Sequence, residues 1–425
     1  MAYVAEAPKE NFRLSMLIYD TRYRAITIQV IVLILVLLFV GWLADNTIKN
    51  LAAKDKDINF SFLWNRAGYD IGQQLIPYTN DSTHARAAVI GLLNTLVVAF
   101  FGCIFATILG VFAGVLRLSN NWIVGRIMTV YVETFRNVPL LLWIILSYTI
   151  LSEVTPPPNA FRVTDDMIAN GQAPAASMIL YDSVAITNRG SDIPWPYLDH
   201  PMPGPVILGV PVNLAVWISL GLIFAGIYVA RMNNRRARLI QEETGDRPTV
   251  WWQNLLAVVL PVALFLAWRG IHLDYPELKG FNFQGGLAIA HSFTALLIAI
   301  SLYTGAFIAE AVRGGILAIS KGQTEAAYAL GIRPGKTMRL VVLPQALRVI
   351  IPPLISQYLN LTKNTTLGIA VSYLDLKGTL GGISLNQTGR ELECMMLMMG
   401  IYLILSLIIS SLMNAFNAAV KLKER

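Results

Sequence analysis

The chain contains eight separate, mostly apolar stretches of about 20 residues, the length that an α-helix needs to cross a bilayer. Lipid offers no hydrogen-bond partners to the backbone, so each stretch is predicted to form a transmembrane helix. The predicted spans are residues 25–44, 88–116, 125–151, 208–230, 252–269, 287–312, 343–364 and 395–418. The predicted fold class is therefore an all-α polytopic membrane protein with about eight transmembrane helices.

The composition disfavours the main soluble classes. Of the 425 residues, 14% are charged and 55% are hydrophobic, whereas soluble proteins have about 25% charged residues. A soluble enzyme, a disulfide-stabilised secreted domain and a disordered chain are all poor matches. The two cysteines, Cys103 and Cys394, lie in apolar runs and are interpreted as small buried side chains. The first span is too long for a signal peptide and is interpreted as a retained anchor.

The distribution of basic residues indicates an orientation. With the amino terminus in the cytoplasm, eight crossings place 20 Lys/Arg residues on cytoplasmic segments and 11 on external segments. This bias follows the positive-inside rule. It accounts for the net charge of +7, so nucleic acid is not expected as a partner. Both termini are predicted to be cytoplasmic.

Two external loops are long enough to carry structure of their own. Residues 152–207 hold nine of the 20 prolines and show no sustained period, which predicts a loop with little regular structure. Residues 45–87 include Phe60, Phe62 and Trp64, which could form a short amphipathic segment at the membrane interface.

A polar segment between the sixth and seventh spans is predicted to form two short helices joined by a turn. Residues from Gln323 to Leu330 are good helix formers, and Gly331 is suited to a left-handed C-cap. Pro334 prevents the helix from continuing, and a second helix is predicted from about Gly335 toward Leu343. A small-residue helix on the cytoplasmic face has the shape to enter a groove on a partner.

This segment resembles the cytoplasmic EAA loop of permease subunits of binding-protein-dependent ATP-binding-cassette importers. The pattern is Glu-Ala-Ala, three residues, Gly, nine residues, an aliphatic residue, one residue and Leu-Pro; it is matched by Glu325, Ala326, Ala327, Gly331, Val341, Leu343 and Pro344. The stretches 131–141, 305–327 and 361–376 are similar to the polar amino-acid branch of these permeases. The enlarged layout is similar to the larger permease subunit of general L-amino-acid importers and of glutamate/glutamine/aspartate/asparagine importers.

The resemblance implies a type I importer permease fold in the bacterial inner membrane. It divides the chain into a cytoplasmic amino terminus (1–24), an extra span (25–44), a periplasmic loop (45–87), a first core part (88–151), an insertion (152–286), a second core part (287–418) with the EAA loop at 321–344, and a cytoplasmic tail (419–425).

The resemblance also implies the partners. Glu325, Ala326, Ala327, Gly331, Leu343 and Pro344 would couple the chain to separate ATP-binding subunits, which hold ATP and Mg²⁺. The chain itself would have no catalytic residue and no cofactor. Residues 331–337 look like a phosphate-binding loop, but the spacing is one residue short and Pro334 lacks an amide donor. A second homologous permease, a periplasmic amino-acid-binding protein, the amino-acid substrate and the lipid membrane complete the expected partners.

Polar residues inside the spans are candidates for function, because burying them in lipid is costly. Glu133 and Arg136 are predicted to form an internal ion pair, and Glu310 is interpreted as a support for the EAA loop. The candidate substrate path, with donors and acceptors suited to a zwitterion, is Asn360, Lys363, Asn364 and Thr365, with Asn94 and Thr95 as weaker candidates. For Asn94 and Thr95, ordinary interhelical hydrogen bonding is the favoured interpretation. The four histidines show no metal-ligand spacing, so no metal site is expected.

Two alternatives remain open at this point. A gradient-driven secondary transporter would use paired interrupted helices, which the eight spans do not obviously contain. A scaffold chain could support a partner permease without holding the substrate itself.

Overall fold

A computed structural model describes residues 16–53, 57–163, 173–207 and 210–420. Within these residues, seven helices are long and apolar enough to cross a membrane, or eight if one bent pair forms a single span. The chain divides into two compact units, Met1–Ser61 and Phe62–Arg425. The predicted all-α polytopic class is confirmed.

The helices are α1 (Met16–Tyr19), α2 (Thr21–Ala52), α3 (His84–Leu116), α4 (Trp122–Asn137), α5 (Leu140–Val154), α6 (Leu214–Thr244), α7 (Trp251–Trp268), α8 (His291–Leu317), α9 (Lys321–Ala329), α10 (Pro334–Thr337), α11 (Leu343–Asn364), α12 (Leu376–Gly378), α13 (Leu385–Thr388) and α14 (Glu391–Val420). Short 3-10 helices cover Ser61–Trp64, Pro158–Phe161 and Thr365–Val371, and π-helical segments cover Met338–Val342 and Thr379–Ser384.

The first unit contains the anchor helix α2, which is longer than the predicted span of 25–44. Its apolar run from Ile31 to Val40 is exposed all round, as expected for a helix that lipid would cover. An ion pair between Lys49 and Asp45 at 2.5 Å lies in its last turns.

The core of the second unit is built on α3 and α8, which run parallel. Gly102 meets Ile300, Gly110 meets Ile308 and Gly114 meets Val312, so the register advances equally along both helices. At Gly110 a Cβ would lie 2.6 Å from the Cβ of Ile308, so only glycine permits this approach. Helices α4, α5 and α11 pack around α8, whose buried face includes Leu296, Ala299 and Ile308.

The predicted span 125–151 is broken in the structure. Helices α4 and α5 meet at an angle of 108°. The cause is Pro139, which has no amide hydrogen and forces the preceding residue out of helical conformation. Val138 accordingly has φ −101° and ψ 133°. The stretch predicted as one span is therefore a bent pair of half-length helices, and the count of eight spans takes this pair as a single span.

The proline-rich loop contains regular structure, which corrects the expectation for residues 152–207. Its strands are β1 (Ala185–Thr187), β2 (Gly190–Ile193), β3 (Trp195–Leu198) and β4 (Pro203–Ile207), followed by β5 (Val210–Asn213), and the loop after α7 holds β6 (Ile271–Asp274), β7 (Glu277–Lys279), β8 (Asn282–Gln284) and β9 (Leu287–Ile289). The antiparallel sheets have the orders β1-β2-β9, β3-β6, β4-β5 and β7-β8. Sequence patterning missed them because prolines interrupt the alternation and the partners are distant in sequence.

These strands move two predicted span boundaries. Residues 210–213 are paired in β5, so the predicted span 208–230 begins as α6 only at Leu214, where the Asn213 side chain caps Ala215 N at 3.0 Å. Residues 287–289 are paired in β9, so the predicted span 287–312 begins as α8 at His291. In the buried ring of His291, Nε2 lies 2.5 Å from the carbonyl oxygen of Thr187, which ties β1 to the start of α8.

The loops group at two ends of the bundle. Because α3 and α8 run parallel, the strands attached to His291 lie at the same end as residues 62–83. His84 Nδ1 lies 2.8 Å from Ser384 Oγ, which adds residues 365–390 to this end. The opposite end holds the α3–α4 turn and the segment after α8, joined through Arg117 and Glu310. The loops grouped at each end are those that the basic residues predicted to lie on the same side of the membrane.

Candidate functional site

Helix α9 carries the Glu-Ala-Ala sequence on a largely exposed surface. It begins after Ser320, whose hydroxyl accepts a hydrogen bond from Gly322 N at 3.3 Å. Ala327 is buried at 4% exposure, whereas Glu325 and Ala326 are exposed. The helix packs against Pro334–Thr337 and Met338–Val342, which form the return arm of the loop. Beyond them Leu330 is 80% exposed. The helix and the residue after it therefore present two charges, Lys321 and Glu325, together with small residues and an exposed leucine.

The turn after α9 is a Schellman motif. Gly331 N donates to Tyr328 O at 2.9 Å, and Ile332 N donates to Ala327 O at 3.1 Å. Gly331 has φ +72°, the left-handed value predicted for this position. Because its amide and that of Ile332 are both engaged, the turn fixes the direction of the return arm.

The return arm is continuous with the next span, which differs from the predicted separate second helix. Helix α10 begins at Pro334, passes into the π-helical segment Met338–Val342 and continues as α11. Leu343 N donates to Met338 O, five residues back. Pro344 has no amide hydrogen to continue the regular ladder, which explains the wider turn before it. Leu343 is exposed and Pro344 is half-buried, so the Leu-Pro pair lies at the base of the arm.

A charged cluster lies at the same end of the bundle. It consists of Arg117, Glu133, Arg136, Glu310 and Arg313, and Arg117 is its centre. Arg117 Nη2 lies 3.0 Å from Glu133 Oε1, and its Nη1 donates to Glu310 Oε2. Arg313 Nη1 lies 3.0 Å from the other oxygen of Glu310. The cluster therefore ties the α3–α4 turn, α4 and the end of α8 together, just before the chain enters α9.

The predicted pair between Glu133 and Arg136 is not formed within the described residues. Glu133 faces Arg117, while Arg136 lies 3.9 Å from Glu310 and stacks over the Phe307 ring at 5.4 Å. The Arg117 side chain is only 12% exposed and pairs with the Glu133 carboxylate in place of Arg136. The sequence prediction failed because Arg117 and Glu310 are 193 residues apart and only packing brings them together.

The candidate substrate-path residues divide into two groups. Asn94 donates to Gln73 O at 3.0 Å and to Leu374 O at 2.9 Å, and Thr95 Oγ1 accepts from Leu376 N at 3.1 Å. Thr365 is fully buried and bonded to Thr362 O at 3.0 Å. Asn94 and Thr95 therefore join α3 to the segments at Gln73 and at Leu374–Leu376, whereas Thr365 bonds the turn that precedes it.

The other three candidates share one outward face of α11. Asn360 and Lys363 are exposed and Asn364 is half-buried. Their spacing of three and four residues aligns them along the helix. The structure therefore does not bring all six residues together, and only this outward group is free to meet a ligand or a second chain.

A buried acid that sequence reasoning missed organises the segment after α11. Asp375 accepts hydrogen bonds from Gly378 N at 2.9 Å, Tyr402 Oη at 3.2 Å and Thr365 Oγ1 at 3.3 Å. Burial raises the pKa of Asp375 to about 6, although these donors oppose the shift. An aspartate in the apolar run 367–376 is the sequence signal that could have identified it.

Together these features define a polytopic helical membrane protein that presents an exposed helix–turn–helix at one end of its core, the form of an importer permease subunit. The chain belongs to the family of binding-protein-dependent transport system inner membrane components, which matches residues 106–421.

Full-length relatives support this membership. The chain is 62% identical to the glutamate/glutamine/aspartate/asparagine transport system permease protein BztB of Rhodobacter capsulatus, over 100% of both chains. It is 43% identical to the general L-amino acid transport system permease protein AapQ of Rhizobium johnstonii, over 98% of this chain and 96% of that one. A crystal structure of an amino acid ABC transporter with histidines matches with a TM-score of 0.42 and 17% identity, over 79% of this chain and 95% of that chain.

Proposed function

We propose that the chain is the membrane-spanning subunit of an ATP-driven importer of L-amino acids in the bacterial inner membrane, with both termini in the cytoplasm. The substrate class follows from the names of the full-length relatives, which include glutamate, glutamine, aspartate and asparagine. The observation that carries the proposal is the exposed α9 helix on its Schellman turn, within a chain of the importer family.

The chain's role in the cycle is mechanical. Separate ATP-binding subunits would grip the exposed side of α9 and hold ATP and Mg²⁺ themselves. The engagement of the amides of Gly331 and Ile332 by Tyr328 and Ala327 supports this assignment, because these donors are unavailable to a phosphate. When the ATPase pair closes, it would bias the permease toward one of two arrangements of its spans.

The charged cluster is the path by which this movement would reach the spans. Helix α8 ends at Leu317, three residues before the cap of α9. Glu310 near that end is held by Arg117 and Arg313, so a pull on α9 is passed to the α3–α4 turn and to α4. Glu310 would thus support the loop through these ion pairs.

A second homologous permease is the expected neighbour of α11. Asn360, Lys363 and Asn364 are polar and face outward, which is costly against lipid and favourable against a polar path between two chains. Lysine and amide donors there suit a carboxylate, and the amide oxygens suit an ammonium group. A periplasmic amino-acid-binding protein would deliver the substrate from the end that carries the β-strands.

Reconstitution tests this function. Proteoliposomes with the copurified complex and a loaded binding protein should take up amino acid only with internal ATP, and vanadate should stop uptake. Uptake driven by a proton or sodium gradient without ATP would instead establish the secondary-transporter alternative.

The scaffold alternative has its own test. In the same assay, Lys363→Met should raise the substrate concentration at half-maximal uptake severalfold while basal ATP hydrolysis is retained. The control variant Lys279→Met replaces an exposed lysine in β7, which is remote in sequence from α11. Unchanged uptake by both variants would indicate that the partner permease alone holds the substrate.

A further inference from the structure

Helices α6 and α7, which belong to the insertion, form a closely packed hairpin. Gly226 lies against the backbone of α7, where a Cβ would be 2.5 Å from Ala257 O. Asn254 Nδ2 donates to Asn234 Oδ1 at 3.2 Å. These two contacts show that the helices are antiparallel and place Trp251 level with the stretch of α6 between about residues 232 and 237.

Tryptophans mark both ends of α7. Trp251 and Trp252 are exposed at its start, and Trp268 is exposed at its end. Sixteen residues separate Trp252 from Trp268, which at 1.5 Å per residue is about 24 Å. Tryptophan is enriched where the hydrocarbon layer meets the headgroups, about 30 Å apart in a typical bilayer. The helix has no buried residue, so its sides are free to contact lipid.

Four arginines of α6 lie at the level of the Trp251–Trp252 end. They are Arg231, Arg235, Arg236 and Arg238, and all four are exposed. Arg231, Arg235 and Arg238 are spaced by four and three residues and share one side of the helix. Leu239 and Ile240, both exposed, follow directly.

These arginines lack the neutralising partners that others have. Arg117 and Arg313 are paired with glutamates in the charged cluster. Within the described residues, no carboxylate lies within 4.0 Å of the four arginines of α6, although Glu242 and Glu243 follow on the same helix. A row of unpaired guanidinium groups at headgroup level attracts anions, and a phosphodiester accepts two hydrogen bonds from one guanidinium.

We propose that this basic end of the hairpin binds the headgroups of anionic phospholipids. The apolar sides of α6 and α7 contact the acyl chains, and Arg231, Arg235, Arg236 and Arg238 contact the phosphates of the same leaflet. The insertion thereby holds an anionic lipid layer beside the permease. Lipid binding at this end does not depend on which substrate the permease carries.

Native mass spectrometry of the purified full-length chain tests the proposal. The protein is titrated with phosphatidylglycerol, with phosphatidylcholine as the neutral comparison. Each arginine near an anionic surface contributes about a fivefold gain in affinity, so the triple variant Arg235→Gln/Arg236→Gln/Arg238→Gln should bind phosphatidylglycerol on the order of a hundredfold more weakly. Binding of phosphatidylcholine should not change.

Two matched variants separate charge from folding. Arg235→Lys/Arg236→Lys/Arg238→Lys keeps the charge and should retain most of the preference for phosphatidylglycerol. Glu242→Gln/Glu243→Gln removes acids from the same helix end and should bind this lipid at least as tightly as the wild type. Inorganic phosphate at equal concentration should not displace the lipid, because it has no acyl chains.

The proposal is overturned if the triple glutamine variant binds phosphatidylglycerol as tightly as the wild type does. Equal binding of the two lipids by the wild type would also overturn it, as would displacement by inorganic phosphate. If the triple variant cannot be purified, the single variants Arg235→Gln and Arg238→Gln should each lose about fivefold in affinity, and no loss in either counts against the site.

Discussion

Gly331 is the residue on which the direction of the α9 loop depends. A Cβ there would meet no atom within 4 Å, so any effect of Gly331→Ala comes from backbone conformation alone. Holding alanine in the left-handed region costs about 1–2 kcal/mol. We expect Gly331→Ala to lower ATP-driven uptake severalfold without loss of subunit assembly. Gly331→Asn should retain more activity because asparagine tolerates this conformation; equal losses in both variants would contradict the conformational explanation.

Arg117 is the residue that most clearly separates what packing determines from what sequence predicts. The sequence indicated only a basic residue at a turn, whereas the structure gives it two carboxylate partners. We expect Arg117→Gln to destabilise the protein by about 1 kcal/mol, since it removes the arginine that faces Glu133 and leaves Glu310 with only Arg136 and Arg313. A double-mutant cycle with Glu310→Gln in thermal unfolding should show coupling of about 1 kcal/mol or more.

The exposed pair Lys49–Asp45 is the control for this cycle, because its side chains are 71% and 58% exposed. Asp45→Asn should change stability by less than about 0.5 kcal/mol. Additive effects of Arg117→Gln and Glu310→Gln would show that the charged cluster is not a cooperative unit.

At the scale of elements, the α3–α8 contact was not predictable although both helices were. The length of an apolar stretch identifies a transmembrane span, but it does not indicate which glycine of that helix contacts which residue of another helix. We expect Gly110→Ala to destabilise the protein by about 1–3 kcal/mol, because the new methyl group overlaps Ile308. Gly221→Ala, where a Cβ meets nothing within 4 Å, should be neutral or slightly stabilising. The melting temperatures of the two variants, measured in the same detergent, test this difference. Equal melting temperatures would contradict the close packing of α3 against α8.

The broken α4–α5 pair shows the limit of the same reasoning. Pro139 and the β-branched Val138 before it are a local signal for a helix end, and both are visible in the sequence. The angle of 108° depends on packing with the rest of the bundle and is not visible in the sequence.

Asp375 could likewise be noticed as an acid in an apolar run, but its hydrogen-bond donors Gly378, Thr365 and Tyr402 come from three elements.

Asp375 makes the segment after α11 sensitive to pH. Its pKa is raised to about 6 in the folded chain, whereas the ordinary value is about 4. Between about pH 4 and pH 6 the folded state binds more protons at Asp375 than the unfolded state does. The contribution of Asp375 to the free energy of unfolding is therefore lost as the pH rises through 6. We expect the wild type to gain about 1 kcal/mol relative to Asp375→Asn on going from pH 7 to pH 5.

Thermal unfolding at pH 5, 6 and 7 measures this difference. Asp246→Asn, at an exposed aspartate after α6, should follow the pH dependence of the wild type. The same pH dependence in Asp375→Asn and the wild type would contradict the assignment.

At the scale of the whole molecule, the class, the Glu-Ala-Ala pattern and the two long helices of the insertion could be predicted from the sequence, whereas the β-strands of the insertion could not. Span lengths, charge bias and the Glu-Ala-Ala spacing are local properties, so one sequence displays them. The pairing of β2 with β9 joins residues near 191 and 289 and depends on the hairpin between them. The strands of the insertion are therefore joined to the start of α8 through β9.

The central claim is that a separate ATP-hydrolysing subunit grips the exposed side of α9. Cysteine cross-linking in native membranes tests it most directly, with Cys103 and Cys394 replaced by serine. Ala326→Cys, on the exposed side, should cross-link to the ATPase in a yield that changes when ATP and vanadate are added. Ala327→Cys, on the buried side, should give little product. No ATPase cross-link from Ala326→Cys in a transport-competent complex, or equal cross-linking from both positions, would contradict the account.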